Sequence, residues 1–205
     1  DEAHMPETTL PNVLCYETLM AAQAPAYDWP ALDEKTASAL CYTSGTTGNP
    51  KGTLYSHRST VLHALGILVA SFALRAGDVV MPVVPMFHVQ SWGMPHAAPL
   101  VGAKMVFNGA HFDGETLQRL IEDEQVTVAL GVPTIWLGLL DYLRASGKRV
   151  DSLHKLVSGG SAPPLSMIEA FEKDYGAPIN QGWGMTETSP VAAAGINPRV
   201  LARLS

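Results

Sequence analysis

The chain has 205 residues, of which 47% are hydrophobic and 16% charged, proportions that favour a folded domain over a disordered chain. The formal net charge is -6 and no cluster of lysines and arginines is present, which argues against nucleic acid as the main partner. The two cysteines, Cys15 and Cys41, have no CxxC spacing and argue against a disulfide framework.

No run of apolar residues is long enough to span a bilayer, and no charged and then apolar secretory segment opens the chain. The longest apolar stretch, 61–74, is interrupted by His63, Gly66 and Ser71 and predicts a core helix. These features predict a cytoplasmic location.

The first 35 residues, which prolines interrupt repeatedly, are predicted to be a linker or a peripheral segment. A strand is predicted over 37–42, followed by a glycine-rich loop over 43–52. A helix is predicted to begin at Ser56, a residue type that caps helix N-termini. The loop is therefore expected to join a strand directly to a helix.

The rest of the chain alternates short apolar runs with helical patterns. Strands are predicted over 79–84, 104–107, 127–130, 155–157 and 178–180, and helices over 113–125, 133–146 and 164–175. This alternation predicts an α/β fold, a mostly parallel sheet flanked by helices on both faces. We expect a phosphate-loop lobe at 36–75 and a second α/β lobe at 76–205. The strand endings, including that of 37–42, are expected to meet at one sheet edge and line a cleft.

The loop over 42–52 combines hydroxyl side chains, glycines and Lys51. Glycines allow backbone N–H groups to approach a ligand, and hydroxyls with a lysine add donors and positive charge, as a polyphosphate requires. A flexible surface turn would have a similar composition. The loop is not the GxxxxGK[ST] motif, because Gly52 follows Lys51.

A second run, 183–187, has a chemistry that suits the same ligand. The Trp183 indole can stack on a purine, Gly184 leaves room for a carboxylate, the Thr186 hydroxyl can donate to a phosphate and Glu187 can hold a hard cation. The alternative is that Trp183 is a core residue, Thr186 a cap and Glu187 a solvated side chain.

Together, Tyr42-Thr43-Ser44-Gly45-Thr46-Thr47-Gly48-Asn49-Pro50-Lys51-Gly52 and Trp183-Gly184-Met185-Thr186-Glu187 resemble the paired signatures of the adenylate-forming superfamily. This superfamily includes acyl-CoA synthetases, peptide-synthetase adenylation domains and firefly-type luciferases. The resemblance covers about 27–190. The flanking sequence, including 54–59 and 132–136, is most similar to bacterial medium- and long-chain fatty acyl-CoA ligases and their methylthiopropionate-activating relatives.

The resemblance implies roles for individual residues. Those implied to bind nucleotide are Thr43, Ser44, Gly45, Thr46, Thr47, Gly48, Lys51, Gly159, Gly160, Ser161, Trp183, Gly184, Met185 and Thr186. Those implied to act in catalysis are Lys51, His88, Thr186 and Glu187, with Glu187 also the metal ligand. An acyl pocket is expected from His88, Trp92, Val132, Trp136 and Gly184, with Met94 nearby, although core packing would explain the apolar members of this set about as well.

The implied reaction is the ATP-dependent activation of a fatty acid. The carboxylate attacks the α-phosphate of Mg²⁺-ATP, pyrophosphate leaves, and coenzyme A then attacks the acyl-adenylate. Family members are more than twice as long, so the chain is expected to be the central part of a large N-terminal domain, without the C-terminal domain. We therefore expect weak nucleotide binding at best and no completed catalysis. The alternative is a catalytically incompetent nucleotide-binding or interaction module, with self-association through surfaces that truncation exposes.

Overall fold

The structure is a computed structural model that describes residues 2–45 and 48–195. It has two compact units, one ending at Asp33 and one beginning at Glu34. The first contains a 3₁₀ turn, Glu2–His4, and helix α1, Tyr16–Ala21. The predicted linker thus ends close to the boundary between the units, and both predicted lobes, 36–75 and 76–205, fall within the second unit.

The second unit alternates strands and helices along most of its length. Its strands are β1 (Ala37–Thr43), β2 (Lys51–Ser56), β3 (Val79–Pro82), β4 (Lys104–Met105), β5 (Val128–Gly131), β6 (Lys155–Ser158), β7 (Ile179–Gly184) and β8 (Val191–Ala194). Its helices are α2 (His57–Gly66), which continues as a π-helical turn over Ile67–Phe72, α3 (Val89–Trp92), α4 (Met94–Val101), α5 (Gly114–Glu124), α6 (Pro133–Ser146) and α7 (Leu165–Tyr175), with a 3₁₀ turn at Thr186–Thr188. Among the described residues, no helix is both long and apolar enough to cross a membrane.

Six of the strands form one sheet, in the order β4-β3-β5-β6-β7-β8. All neighbours in it are parallel except β7 and β8, which are antiparallel. The carboxyl ends of β3, β5, β6 and β7 therefore share one edge. The predicted fold class, a mostly parallel sheet with helices on both faces, is confirmed.

Each face of this sheet carries its own hydrophobic core. In β5, Ala129 belongs to one core, whereas Val128 and Leu130 belong to the other, because successive strand residues point to opposite faces. The first core is completed by residues of α5, α6 and α7, and the second by residues of β2, α2 and α4. Helices on both faces leave the carboxyl edge of the sheet as the place where a ligand can approach.

The hairpin of β1 and β2 corrects one sequence prediction. The 37–42 strand was expected to lie in the parallel sheet and to lead into a helix. Instead, β1 pairs antiparallel with β2 in a separate two-stranded sheet, and α2 begins only after β2. Strand β2 has no clear local sequence pattern, because it is defined by its pairing with β1 across the glycine-rich loop. The pairing sets Thr43 opposite Lys51.

Candidate active site

A cleft of about 570 Å³ opens where the hairpin faces the carboxyl edge of the sheet. Four segments, distant in sequence, form its walls. Its lining residues are Thr43, Ser44, Gly45, Lys51, His88, Val89, Trp92, Gly159, Gly160, Gly182, Gly184, Met185, Thr186, Glu187 and Pro190. The two signature runs thus contribute to a single cavity.

The hairpin supplies the hydroxyl and lysine wall. Gly45 has a φ of +67°, and a Cβ there would lie 3.3 Å from the carbonyl oxygen of Asn49, so the turn is closed tightly by glycine. The register that pairs Thr43 with Lys51 keeps the lysine beside the first hydroxyl of the loop. Thr46 and Thr47, both predicted to bind nucleotide, lie outside the described residues.

The end of β6 forms the floor of the cleft. Ser158 ends the strand, and Gly159 and Gly160 follow it at the sheet edge. A Cβ on Gly159 would lie 2.9 Å from Cη2 of Trp92, so the indole packs directly on the glycine backbone. Gly160 has a φ of +81°, which glycine adopts without strain. Gly160 is exposed and Gly159 is buried, and both line the cleft.

The Trp92 wall is a left-handed turn. Val89, Gln90, Ser91 and Trp92 all have φ between 45° and 56°, a region that costs L-residues roughly 1–2 kcal/mol each. A buried hydrogen bond from Ser91 Oγ to the carbonyl oxygen of Val84, 2.7 Å long, helps to hold the turn. It carries His88, which is exposed, and Trp92, which is 8% exposed, to the same side of the cleft.

The fourth wall is the turn that leaves β7. The register of β7 against β8 shifts at Gly184, and a Cβ there would come within 2.1 Å of the carbonyl oxygen of Pro190. The backbone N–H of Met185 donates to that same carbonyl at 3.1 Å. Thr186 and Glu187 then project from the 3₁₀ turn into the cleft.

Beneath this turn lies Tyr55 of β2, which is 3% exposed. Its Oη donates a hydrogen bond to the carbonyl oxygen of Thr186 at 2.5 Å. Burial raises the pKa of Tyr55 to about 12, and the nearby Cys41 and Glu187 act in the same direction. The hydroxyl therefore remains a donor at neutral pH.

The charges of the cleft are arranged in two places. Among its described lining residues, Lys51 on the hairpin is the only lysine or arginine, and Glu187 on the opposite turn is the only carboxylate. This arrangement can hold an anion at Lys51 and a cation at Glu187, with hydroxyls and exposed backbone between them. A nucleoside triphosphate with its metal ion has that distribution of charge.

Comparison with known proteins agrees with this geometry. A family model described as AMP-binding enzyme matches residues 4–204. The chain belongs to this family. The resemblance to the adenylate-forming superfamily, first seen in the two signature runs, is confirmed.

Two curated relatives of this AMP-binding chain are CoA ligases. A medium-chain-fatty-acid–CoA ligase of Ectopseudomonas oleovorans is 50% identical over 186 residues, covering 90% of this chain and 34% of the relative. A 3-methylmercaptopropionyl-CoA ligase of Ruegeria pomeroyi is 54% identical over 177 residues, covering 86% and 33%. The chain spans about a third of the length of these relatives.

A solved structure with the same fold is an anthranilate CoA ligase in complex with anthranoyl-AMP. It superimposes with a TM-score of 0.82 at 25% sequence identity, covering 94% of this chain and 38% of that one. This likeness agrees with the family assignment of the AMP-binding chain.

Several residues to which the resemblance gave a role lie away from the cleft of this AMP-binding chain. Trp183 is 56% exposed and does not line it, nor does Ser161. Val132 packs behind Gly160, since a Cβ on that glycine would lie 3.3 Å from Val132 Cγ1. Their roles stay predictions.

Trp136 and Met94 lie in the two cores rather than at the cleft. Both are fully buried, and the Nε1 of Trp136 donates to the carbonyl oxygen of Val157 at 3.3 Å. Trp136 also fills the space beside Gly131, where a Cβ would lie 2.8 Å from its ring. This position is that of a packing residue, and a role for Trp136 in an acyl pocket stays a prediction.

The cleft offers a small set of oxygen donors that fits Mg²⁺. Within 2–45 and 48–195, no group of three or more His, Cys, Asp and Glu side chains could hold a metal ion. Mg²⁺ does not need such a group, because it is commonly bound by one or two carboxylates with water and substrate phosphates. Glu187 and the hydroxyls of Thr43 and Ser44 in one cleft fit that pattern.

Sequence reasoning missed three contributors to the site: Tyr55, Val89 and Pro190. Pro190 follows the second signature by a few residues and signals a turn there. Val89 carries no local sign of its position. Tyr55 acts through a residue far along the chain, and no spacing rule connects the two.

Proposed function

We propose that the chain forms the nucleotide-binding and carboxylate-binding part of an ATP-dependent acyl-CoA ligase whose acid is a fatty acid. The observation that carries this proposal is the convergence of Lys51 with Thr43-Ser44-Gly45 and of Thr186 with Glu187 on one cleft. The names of the CoA ligases at about 50% identity support the same assignment.

In the proposed reaction, a carboxylate oxygen attacks the α-phosphorus of ATP, and the bond from that phosphorus to the pyrophosphate oxygen breaks. The thiol of coenzyme A then attacks the acyl carbon and AMP leaves. The first step brings two anions together, so the protein helps most by neutralising charge on the phosphate oxygens. Lys51 supplies positive charge, and the Thr43, Ser44 and Thr186 hydroxyls donate hydrogen bonds. Mg²⁺, held by Glu187, would neutralise further phosphate charge when bound.

The remaining residues of the cleft are proposed to bind the fatty acid and the adenine base of the nucleotide. Gly159 and Gly160 line the part of the cleft proposed for adenine, where Ser161 and Trp183 are also proposed to bind. His88, Trp92 and Gly184 line the same cleft, and we propose that the carboxylate and the start of the acyl chain bind there. Val132 lies behind Gly160. Removing one well-placed donor from the phosphate side should cost on the order of 3 kcal/mol in the barrier.

Titration of the chain with Mg²⁺-ATP, followed by calorimetry, tests the proposal. Lys51→Ala and Glu187→Ala should each weaken binding about 10- to 100-fold, the value of a lost hydrogen bond to a charged group. Lys173→Ala and Glu169→Ala are the matched controls, because these side chains pair with each other on the exposed side of α7 at 3.5 Å. If neither cleft substitution changes the affinity for Mg²⁺-ATP, the proposal that this cleft binds the nucleotide is wrong.

Pyrophosphate release separates turnover from binding alone. Release that requires both ATP and a fatty acid supports the ligase. ATP binding without release supports the alternative, a nucleotide-binding module that does not turn over.

A further inference from the structure

One hydrogen bond joins the two signature runs through their supporting elements. Tyr55 lies on β2, the strand that begins with Lys51, and its Oη donates to the carbonyl oxygen of Thr186 at 2.5 Å. The two residues are 131 positions apart in sequence. The hairpin that presents Lys51 is thus attached directly to the turn that presents Glu187.

The phenol of Tyr55 is held firmly at its other end. Tyr55 is the one residue of β2 that is buried, and its ring packs in the core formed with α2 and α4. A buried ring has little freedom to swing, so the position of the hydroxyl is set by the core. The position of the turn that carries Thr186 and Glu187 is therefore set by packed core side chains rather than by the glycine-rich loop.

The turn that accepts this bond also contains hydrogen bonds of its own. The backbone N–H of Thr188 donates to the carbonyl oxygen of Met185 at 3.0 Å, and the Thr188 hydroxyl donates to the same oxygen at 2.9 Å. These bonds maintain the shape of the turn but do not join it to β2. The bond from Tyr55 does.

We propose that Tyr55 is a positioning residue that sets the separation between the Lys51 and Glu187 walls, so that both can engage one metal-bound polyphosphate. The inference rests on the proposed function. Tyr55 does not line the cleft and touches no substrate; it acts through the Thr186 carbonyl. Its removal should therefore reduce the gain in affinity that Mg²⁺ gives to ATP, and leave the metal-independent part of binding unchanged.

Amide hydrogen exchange tests the attachment without any ligand. Tyr55→Phe keeps the ring and removes the hydroxyl. We expect exchange at 185–189 to become about three- to tenfold faster, as one lost hydrogen bond implies, with β5 and β6 unchanged. Tyr16→Phe, at a residue 70% exposed on α1, is the control and should leave 185–189 unchanged. Equal exchange in wild type and Tyr55→Phe would overturn the inference.

ATP titration with Mg²⁺ and with EDTA then tests positioning in a double-mutant cycle. Tyr55→Phe should weaken Mg²⁺-ATP binding about three- to tenfold and leave binding in EDTA unchanged. Glu187→Gln should abolish the gain from Mg²⁺, and adding Tyr55→Phe to it should have no further effect. These results would support the inference.

Other outcomes separate the inference from the proposed function. A Tyr55→Phe loss that is equal with and without Mg²⁺, or that persists in the Glu187→Gln background, would make Tyr55 merely structural and overturn the inference, while the nucleotide site would stand. A wild-type chain that does not bind ATP would overturn the proposed function, and this inference with it.

Discussion

Gly184 has the tightest backbone contact among the glycines of the cleft. A Cβ added at Gly184 would lie 2.1 Å from the carbonyl oxygen of Pro190. Because this oxygen belongs to the backbone, a change of side-chain rotamer cannot relieve the clash. Any larger residue must push apart the end of β7 and the start of β8. The position of Thr186 and Glu187 thus depends on the absence of a side chain at Gly184.

We expect Gly184→Ala to lower the free energy of unfolding by about 2 kcal/mol, in line with overpacked sites, and to weaken Mg²⁺-ATP binding. Denaturant unfolding and calorimetry measure the two effects. Gly138→Ala, in the exposed middle of α6 with nothing within 4 Å of the new Cβ, is the control and should stabilise by about 1 kcal/mol. A Gly184→Ala variant as stable as wild type would contradict the contact.

Trp136 allows packing and acyl recognition to be separated. Trp136→Phe removes the Nε1 bond to Val157 and leaves a void in a fully buried site, so we expect a loss of about 2–3 kcal/mol in the free energy of unfolding. The relative affinities for acyl-adenylate mimics of different chain length should not change. A variant of normal stability with altered chain-length preference would instead place Trp136 in the acyl pocket.

At this scale, the sequence predicted residues whose chemistry is visible in their own side chains. Lys51, Thr186 and Glu187 carry charge or hydroxyls within recognisable runs, and the structure brings them to one cleft. Tyr55 and Pro190 contribute through backbone contacts, Tyr55 to Thr186 and Pro190 to Gly184 and Met185. The Tyr55 contact depends on the fold as a whole and leaves no mark in local sequence, whereas Pro190 signals only that a turn is present.

Among the elements, helix boundaries were the most predictable, because their signals are local. Ser56 caps α2 as expected, Pro133 begins α6, and Gly176 ends α7 with a positive φ. Strands β2 and β8 were missed, since each is defined by pairing with a neighbour rather than by a clear alternation of its own. The left-handed turn of α3 was also missed, because no residue type in it favours positive φ.

The cap at the start of α2 gives a prediction for one element. Ser56 Oγ accepts from the backbone N–H of Ser59 at 3.1 Å, and the Ser59 hydroxyl completes a capping box. Ser56→Ala should lower the free energy of unfolding by about 1 kcal/mol in thermal or denaturant unfolding. Ser166→Ala, on the exposed side of α7, should change it by no more than about 0.5 kcal/mol. Equal effects would show that the cap contributes nothing.

For the whole molecule, His63 connects stability to pH. Its Nε2 accepts from the backbone N–H of Val191 at 3.1 Å, and its ring occupies the space beside Gly93, so it contacts the residues that directly follow Pro190 and Trp92 of the cleft. Burial, with a contribution from His96, lowers the pKa of His63 to about 4. Burial also lowers the pKa of His96.

The sign of the effect follows from proton binding. Below about pH 6.5 the unfolded chain takes up a proton that the folded chain refuses until about pH 4. Stability should therefore be constant with respect to His63 above pH 6.5 and fall steadily as the pH drops from 6.5 towards 4. Unfolding midpoints measured across that range check this expectation.

His63→Gln, which retains an acceptor for Val191 without titrating, should reduce the acid-side loss. His154→Gln, at an exposed histidine, is the control and should leave the profile unchanged. A wild-type profile that is flat between pH 6.5 and 4 would contradict a buried, neutral His63.

The bond between Tyr55 and Thr186 has a consequence for the order of folding. It closes a loop of 131 residues, which encloses β3 to β7 and the helices between them. Contacts of such long range form late, since loop-closure entropy is offset only after the intervening elements have packed. The hairpin of β1 and β2 can form early, because its residues are close in sequence. The turn that carries Thr186 and Glu187 can reach its position only after most of the chain has folded. Competence to bind nucleotide should thus be among the last properties that the folding chain acquires.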